Sequence, residues 1–250
     1  MRLQLRTWQE VEDYLQRSTG IIIPIGSTEQ HGPTGLLGTD AICPEIIAHR
    51  VGETLGALVA PTLPLGMAQH HLAFPGTASL RPTTLIALIV DLVNSLARHG
   101  FDHFYFLNGH GGNAATIQAG FAELYAETSL GTAATHRPRL RCKLTNWWHG
   151  PGVRALSKEL FGAAEGVHAT PTEVALTYFA YPNAVKRVPL EPRIAPRGEI
   201  RDAADYRRRF PDGRIGSDPS LATPEAGGRI LDAAVAHITD DYRRFVAGGG

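Results

Sequence analysis

Residues 20–33 read Gly20-Ile21-Ile22-Ile23-Pro24-Ile25-Gly26-Ser27-Thr28-Glu29-Gln30-His31-Gly32-Pro33. A short isoleucine run with glycine at either end predicts a buried strand over Gly20 to Gly26, because β-branched side chains suit a pleated surface packed on both faces. The residues after it are polar. Glu29 and His31 stand two apart, so in extended chain their side chains project to the same side and can address one point in space.

Outward from this strand, the pattern alternates. Ala41 to Leu55 reads as a helix with Asp40 placed to cap it, and Leu58 to Pro61 as a second short strand. Thr83 to His99 carries Leu85, Leu88, Leu92 and Leu96 at helical spacing, with Gly100 as a stop. His103 to Leu107 reads as another buried strand, followed by a helix over Asn113 to Glu127 that Asn113 could cap. Leu140 to Asn146 reads as a strand, Thr172 to Ala180 as a short helix ended by Tyr181-Pro182, and Pro224 to Phe245 as a long one. Such a rhythm argues for an α/β fold, a mainly parallel sheet covered on both faces by helices. Gly66 to Pro82 and Pro189 to Pro219 break it. Long irregular loops are more often functional than idle. Beyond Gly248-Gly249-Gly250 there is no low-complexity tract, and a single domain over residues 1–250 is expected.

Composition narrows the function classes. Hydrophobic residues are 43% and charged residues 19%, a globular rather than a disordered balance. Lys plus Arg is 24 and Asp plus Glu is 24, which removes the electrostatic case for nucleic acid or an anionic membrane as partner. The apolar run at Ile21 is too short to cross a bilayer, and the first ten residues do not read as a signal peptide. Cys43 and Cys142 cannot build a disulfide framework or a thiolate zinc site, so the reducing cytoplasm is the expected location.

The chemistry-bearing residues fall at predicted strand ends. Besides Glu29 and His31 there is Asp40, whose carboxylate at a helix start would be held ionised by backbone N–H groups. A second histidine, His110, lies in Asn108-Gly109-His110-Gly111-Gly112-Asn113, directly after a predicted strand. Parallel sheets place ligands outside the carboxyl ends of their strands. Two imidazoles with carboxylates, one of them able to bridge, suit zinc or manganese and not calcium. Each group has a plainer reading: Asp40 as a helix cap, the glycines around His110 as a strand-to-helix turn. The coincidence of all of them at strand ends favours a metal centre.

Glu29-Gln30-His31-Gly32, Asp40, Phe74-Pro75-Gly76-Thr77 and the Asn108 to Asn113 motif together resemble the creatininase (creatinine amidohydrolase) family. So do Gly166-Val167-His168-Ala169, Glu173 and Ala222-Thr223-Pro224-Glu225-Ala226-Gly227. The likeness runs from about Ile21 to Gly228. It implies a three-layer α/β/α sandwich, two divalent metal ions, zinc and/or manganese, and assembly as a homo-oligomer, commonly a hexamer. The matching ligands are Glu29, His31, Asp40 as the bridge, and His110. Creatinine-hydrolysing members carry a further glutamate ligand where this chain has Gly112. The glycine-rich version implies a branch in which Glu173 supplies that carboxylate, the plainer reading of Glu173 being a helix-start residue.

The resemblance implies an amidohydrolase. Paired divalent ions lower the pKa of bound water and polarise a carbonyl, and His168 would protonate the departing nitrogen of a C–N bond in a small cyclic amide or formamide-type substrate. Gly112 argues against creatinine itself. Trp148, His71, Gly111 and Gly112 are expected to contact substrate, with the amides of Gly111, Gly112 and Asn113 as donors toward an oxyanion. Trp147-Trp148 could equally be core, and His70-His71 extra ligands. A metal hydrolase acting on a C–C or peptide bond and a non-catalytic metal- or metabolite-binding protein are the competing expectations.

Overall fold

The structure, a computed structural model, describes residues 1–130 and 140–248. Of the C-terminal glycine tract only Gly248 is among them. Its strands are β1 (Gly20–Ile25), β2 (Leu58–Val59), β3 (His103–Asn108) and β4 (Arg141–Asn146). They form one sheet in the order β2-β1-β3-β4, every pairing parallel. The helices are α1 (Trp8–Leu15), α2 (Thr39–Leu55), α3 (Pro82–Ala97), α4 (Ala114–Ser129), α5 (Pro151–Leu160), α6 (Pro171–Ala180), α7 (Ala203–Arg209) and α8 (Pro224–Val246).

Period two along β1 decides the layers. Ile21, Ile23 and Ile25 join Phe104 and Phe106 in a core under α1, α3 and α4. Ile22 joins Tyr105 and Leu107 in a second core under α2, α5, α6 and α8. Both faces are covered, giving the expected α/β/α sandwich and a β1 in which every residue is buried. Pro24 is tolerated in this central strand because even-numbered residues face β2: Ile22 accepts from Ala60 and Pro24 from Leu63. Its missing N–H therefore points to a side where the two-residue β2 has already ended.

Two predicted caps do not form. Asp40 lies inside the first turn of α2, after Gly38, and makes no cap hydrogen bond. Asn113 precedes α4 without capping it; its Nδ2 donates to Gly26 O (2.9 Å) and its Oδ1 accepts from Met67 N (2.9 Å), tying three loops together. Pro44 sits within α2 and cannot donate to the Asp40 carbonyl one turn back. Gly26 and Gly109 pack on that carbonyl so closely that an added Cβ would lie 2.0 Å and 1.9 Å from its oxygen. The glycines ending β1 and following β3 thus let the first turn of α2 wedge between two strand ends. α1, α5 and α7 were not anticipated from the sequence, and α7 lies in the stretch read as irregular.

Candidate metal centre

Beyond the carboxyl ends of β1 and β3, segments far apart in the chain converge on the Asp40 side chain. Its Oδ1 lies 3.1 Å from His31 Nε2 and its Oδ2 2.9 Å from His110 Nδ1. Glu29, fully buried, places Oε2 3.3 Å from His110 Nε2 and Oε1 3.1 Å from His71 Nε2. Glu173 Oε1 is 3.9 Å from His31 Nε2, and His168 Nδ1 is 3.8 Å from Glu29 Oε1. The predicted ligands Glu29, His31, Asp40, His110 and Glu173 are therefore neighbours in space.

Whether a cation fits is decided by the oxygens. Both Glu29 oxygens and Asp40 Oδ2 are buried and accept no hydrogen bond, although imidazole nitrogens stand as close as 2.9 Å. Buried carboxylate oxygens without hydrogen bonds are costly. His31 Nε2 meets Asp40 Oδ1 at 3.1 Å and His110 Nε2 meets Met67 O at 3.0 Å, while Asp40 Oδ2 and the Glu29 oxygens have no donor. Potential ligand atoms of Glu29, Asp40 and His110 lie within 4.8 Å of one another, as do those of His31, Asp40 and Glu173, and those of Glu29, His31 and His168. Asp40 belongs to two of these sets, as a bridge requires, and the N/O donor set suits zinc or manganese.

The electrostatics of the cation-free chain agree. Burial lifts Glu29 to about 7, with the Asp40 charge adding to it. Burial likewise carries Glu173 to about 7, against the pull of His31. Burial would depress His31 and His110, but Asp40 and Glu173 lift His31 to about 10, and Glu29 and Asp40 lift His110 to about 9. Burial opposes ionisation of Asp40, yet the His31 and His110 charges hold it well below the usual carboxylate range. His71 is pushed down to about 2 by burial and by His70 and His31. His168 is pushed well down by burial, His31 and His71. Two imidazolium ions thus balance the carboxylates, and two imidazoles stay neutral.

Glu173 serves two ends. Its Oε1 accepts from Thr170 N (2.6 Å) while Thr170 Oγ1 accepts from Glu173 N (3.2 Å), a capping box that starts α6 and fixes the carboxylate. Helix α6 is seated by α8, where a Cβ at Gly227 would lie 2.0 Å from Ala175 O. At Gly112 a Cβ would fall 2.4 Å from His110 Nε2 and 2.7 Å from Met67 O, so a larger side chain there requires rearrangement. Gly111 is open, with nothing within 4 Å of such a Cβ. The Asn113 amide donates to His110 O (3.1 Å) and is not free for an oxyanion. The tryptophan pair divides: Trp147 is core, while Trp148 is half-buried. Trp148, His71, Gly111 and Gly112 line a cleft of about 910 Å³ that opens over the cluster.

Some residues of the site escaped sequence reading. The Gln30 carboxamide is within 2.9 Å of His71 Nδ1 and donates to Gly213 O (2.9 Å) and the Tyr206 hydroxyl (3.2 Å). Its position between two candidate ligands was the available signal. Tyr206, fully buried, faces His71 with ring centroids 4.8 Å apart. It sits in the aperiodic 189–219 stretch, which held no signal for it. That stretch walls the site: Ser217 Oγ donates to His168 O (2.7 Å), and fully buried Arg214 packs under Gly32. His168 Nε2 donates to the Gln30 carbonyl (2.8 Å), leaving Nδ1 bare toward Glu29.

A family model described as "Creatininase: Creatinine amidohydrolase" matches residues 4–241. The chain is 28% identical to creatinine amidohydrolase of Pseudomonas putida, covering 95% of this chain and 94% of that protein. It is 26% identical to 3-dehydro-scyllo-inosose hydrolase of Thermotoga maritima, over 98% of this chain and 85% of that one. Against mycofactocin precursor peptide peptidase of Mycolicibacterium smegmatis it is 30% identical, over 90% and 85%. A solved manganese creatininase superposes with a TM-score of 0.82 at 27% identity, covering 98% of each chain. A mutant creatininase of Zn–Zn type gives the same TM-score and identity, again covering 98% of each chain.

Proposed function

The chain belongs to the creatininase family, and from that premise we propose that it is a divalent-metal-dependent hydrolase cleaving a C–N bond in a small cyclic amide or formamide-type substrate. The observation that carries this reading is the Asp40 carboxylate held between His31 and His110, beside buried Glu29 oxygens that accept no hydrogen bond. Glu29, Asp40 and His110 would hold one ion, and His31, Asp40 and Glu173 a second, as zinc and/or manganese. Bound there, such ions act as Lewis acids and make water a nucleophile near neutral pH.

The chain's own residues do the rest. His168 is neutral through burial, and its Nε2 is committed to the Gln30 carbonyl. It would therefore take a proton at Nδ1 and return it to the departing nitrogen, base first and acid second. Trp148, His71, Gly111 and Gly112 would contact the substrate, with the amides of the two glycines free to face the carbonyl oxygen. Gly112 and the capping-box position of Glu173 favour the glycine-rich branch, in which creatinine is not the expected substrate. Two free cysteines suit a reducing compartment, the cytoplasm, and no helix among the described residues is long and apolar enough to cross a membrane. Assembly as a homo-oligomer, a hexamer by resemblance, is read directly by light scattering.

A second reading, hydrolysis of a C–C or peptide bond on the same site, draws support from the relatives acting on an inosose and on a precursor peptide. One screen separates the two. Manganese- and zinc-loaded protein is offered creatinine, cyclic ureides, formamidopyrimidines and short peptides, with ring opening, formate release and peptide cleavage followed by mass spectrometry. Turnover among the cyclic amides or formamides supports C–N chemistry; turnover of peptides alone replaces it with the second reading.

A further inference from the structure

The cleft is far larger than the metal cluster needs. At about 910 Å³ it lies at the upper end of the range that encloses drug-sized ligands, several times what a single five-membered ring fills. Asp40, His110 and Glu173 of the cluster line it together with Trp148, Ile200 and Ile215 and with α5. The cluster lies beyond the central strands β1 and β3, whereas α5 follows β4, the edge strand, so the two are set apart across the sheet.

Helix α5 turns Val153, Arg154, Ser157 and Lys158 toward the cleft, the spacing that shares one helical face. Arg154 and Lys158 are exposed cations one turn apart, and no ion pair joins either to an acid among the described residues. The neighbouring acid Glu159 pairs the other way, with Arg229 on α8 at 2.8 Å. Two other carboxylates line the cleft. Glu165 accepts the Thr172 hydroxyl (2.8 Å) and bonds to Ser157 on the same face of α5, without an ion pair to either cation, and Glu199, exposed, makes none either. Two like charges held on one face raise each other's energy unless an anion meets them. The cleft thus joins the metal-ligand cluster and apolar walls to two cations that make no ion pair among the described residues.

We infer that Arg154 and Lys158 form an oxyanion subsite, and that the substrate carries a carboxylate or phosphate group separated from its scissile bond by a flat or apolar body. This rests on the hydrolase reading above for which end of the cleft is reactive. It deepens that reading by naming the substrate class: an acidic amide rather than a neutral ring alone. The guanidinium offers a planar fork and the ammonium a point charge, a combination that accepts either oxyanion.

The test is calorimetric titration of manganese-loaded protein with hydroxamates, whose head group chelates divalent ions. Benzohydroxamate is compared with its para-carboxy and para-phosphono derivatives, and the biphenyl analogues of all three give a longer reach. An acidic probe of one length should bind about tenfold tighter than its neutral parent, and carboxylate against phosphonate identifies the preferred group. Arg154→Gln with Lys158→Gln should erase that advantage and leave the neutral probe's affinity alone, while Arg154→Lys with Lys158→Arg keeps it. Added salt should shrink it. Equal affinities for acidic and neutral probes at both lengths, or an advantage that survives in the double glutamine variant, overturn the subsite. If neutral hydroxamates bind loaded and metal-free protein alike, it is the metal-centre reading that fails. The comparison of acidic with neutral probes, in parent and variant, still decides the rim.

Discussion

Asp40 shows how one side chain can be placed correctly in sequence and still be given the wrong local task. A carboxylate at a helix start reads as a cap, yet its two oxygens face His31 and His110, and α2 goes without a side-chain cap. Asp40→Ala and His110→Ala should each lose metal and turnover together, measured as metal per chain after dialysis. Full metal content in Asp40→Ala would rule out the bridge. His168→Ala should retain metal and lose most turnover, and a parental rate would remove it from proton transfer. Uptake of metal should also be linked to pH. With His31 near 10 and His110 near 9 in the cation-free chain, both are protonated at pH 7 and must release protons to ligate. Affinity should therefore fall as pH falls below about 9. Calorimetry in buffers of different ionisation enthalpy should show proton release at neutral pH, and none would mean that the two imidazoles are not protonated in the cation-free chain. The candidate ligands Glu29, His31 and His110 were legible because they follow strand ends marked by glycine, whereas Asp40 was read at a helix start and Glu173 through the family resemblance. Gln30 and Tyr206 were not, since a neutral amide and a tyrosine in aperiodic sequence acquire meaning only from what they touch.

Among the elements, α3 and α8 could be read from their length and apolar spacing, and β1 and β3 as short apolar runs bounded by turn residues. Helices α1, α5 and α7 are short and largely polar, although α1 opens with a Thr7–Glu10 capping box and α5 with Pro151, start signals that the sequence did carry. The close approach of α2 to the strand ends is the least visible feature in sequence and the most exacting in space. Gly109→Ala should cost about 1–3 kcal/mol or more, because its Cβ would meet the Asp40 carbonyl at 1.9 Å. Thermal denaturation should register this as a drop of several degrees, and an unchanged midpoint would show that α2 can recede without penalty. Thr170→Ala removes half of the α6 capping box. It should cost about 1 kcal/mol yet leave metal binding nearly intact, since the Glu173 carboxylate keeps its bond from the Thr170 backbone N–H. Glu173→Ala should lose metal as well, and unchanged metal content in that variant would leave Glu173 a helix cap and nothing more.

For the molecule as a whole, Asp241 stitches the sheet to its longest helix. From α8 it accepts from Tyr105 on β3 (2.7 Å) and from Lys143 and Thr145 on β4 (2.8 and 3.2 Å). Burial would raise its pKa, but Lys143 and Tyr105 lower it on balance. A depressed carboxylate stabilises the fold above its unfolded value, near 3.9, and that stability is lost as pH falls through the lower folded value. Asp241→Asn should therefore melt earlier than the parent at neutral pH and converge with it in acid. A constant gap between the two would deny the linkage. The same view of the whole chain gives the metal cluster a second meaning. Its side chains come from positions as distant as Glu29 and Glu173, with most of the sheet strung between them. An ion gripped by all of them acts as a removable staple across very long loops of polypeptide, restricting the unfolded chain far more than a local clip would. Chelation would then be a mechanical event as much as a chemical one, loosening the seams between layers before any strand lets go.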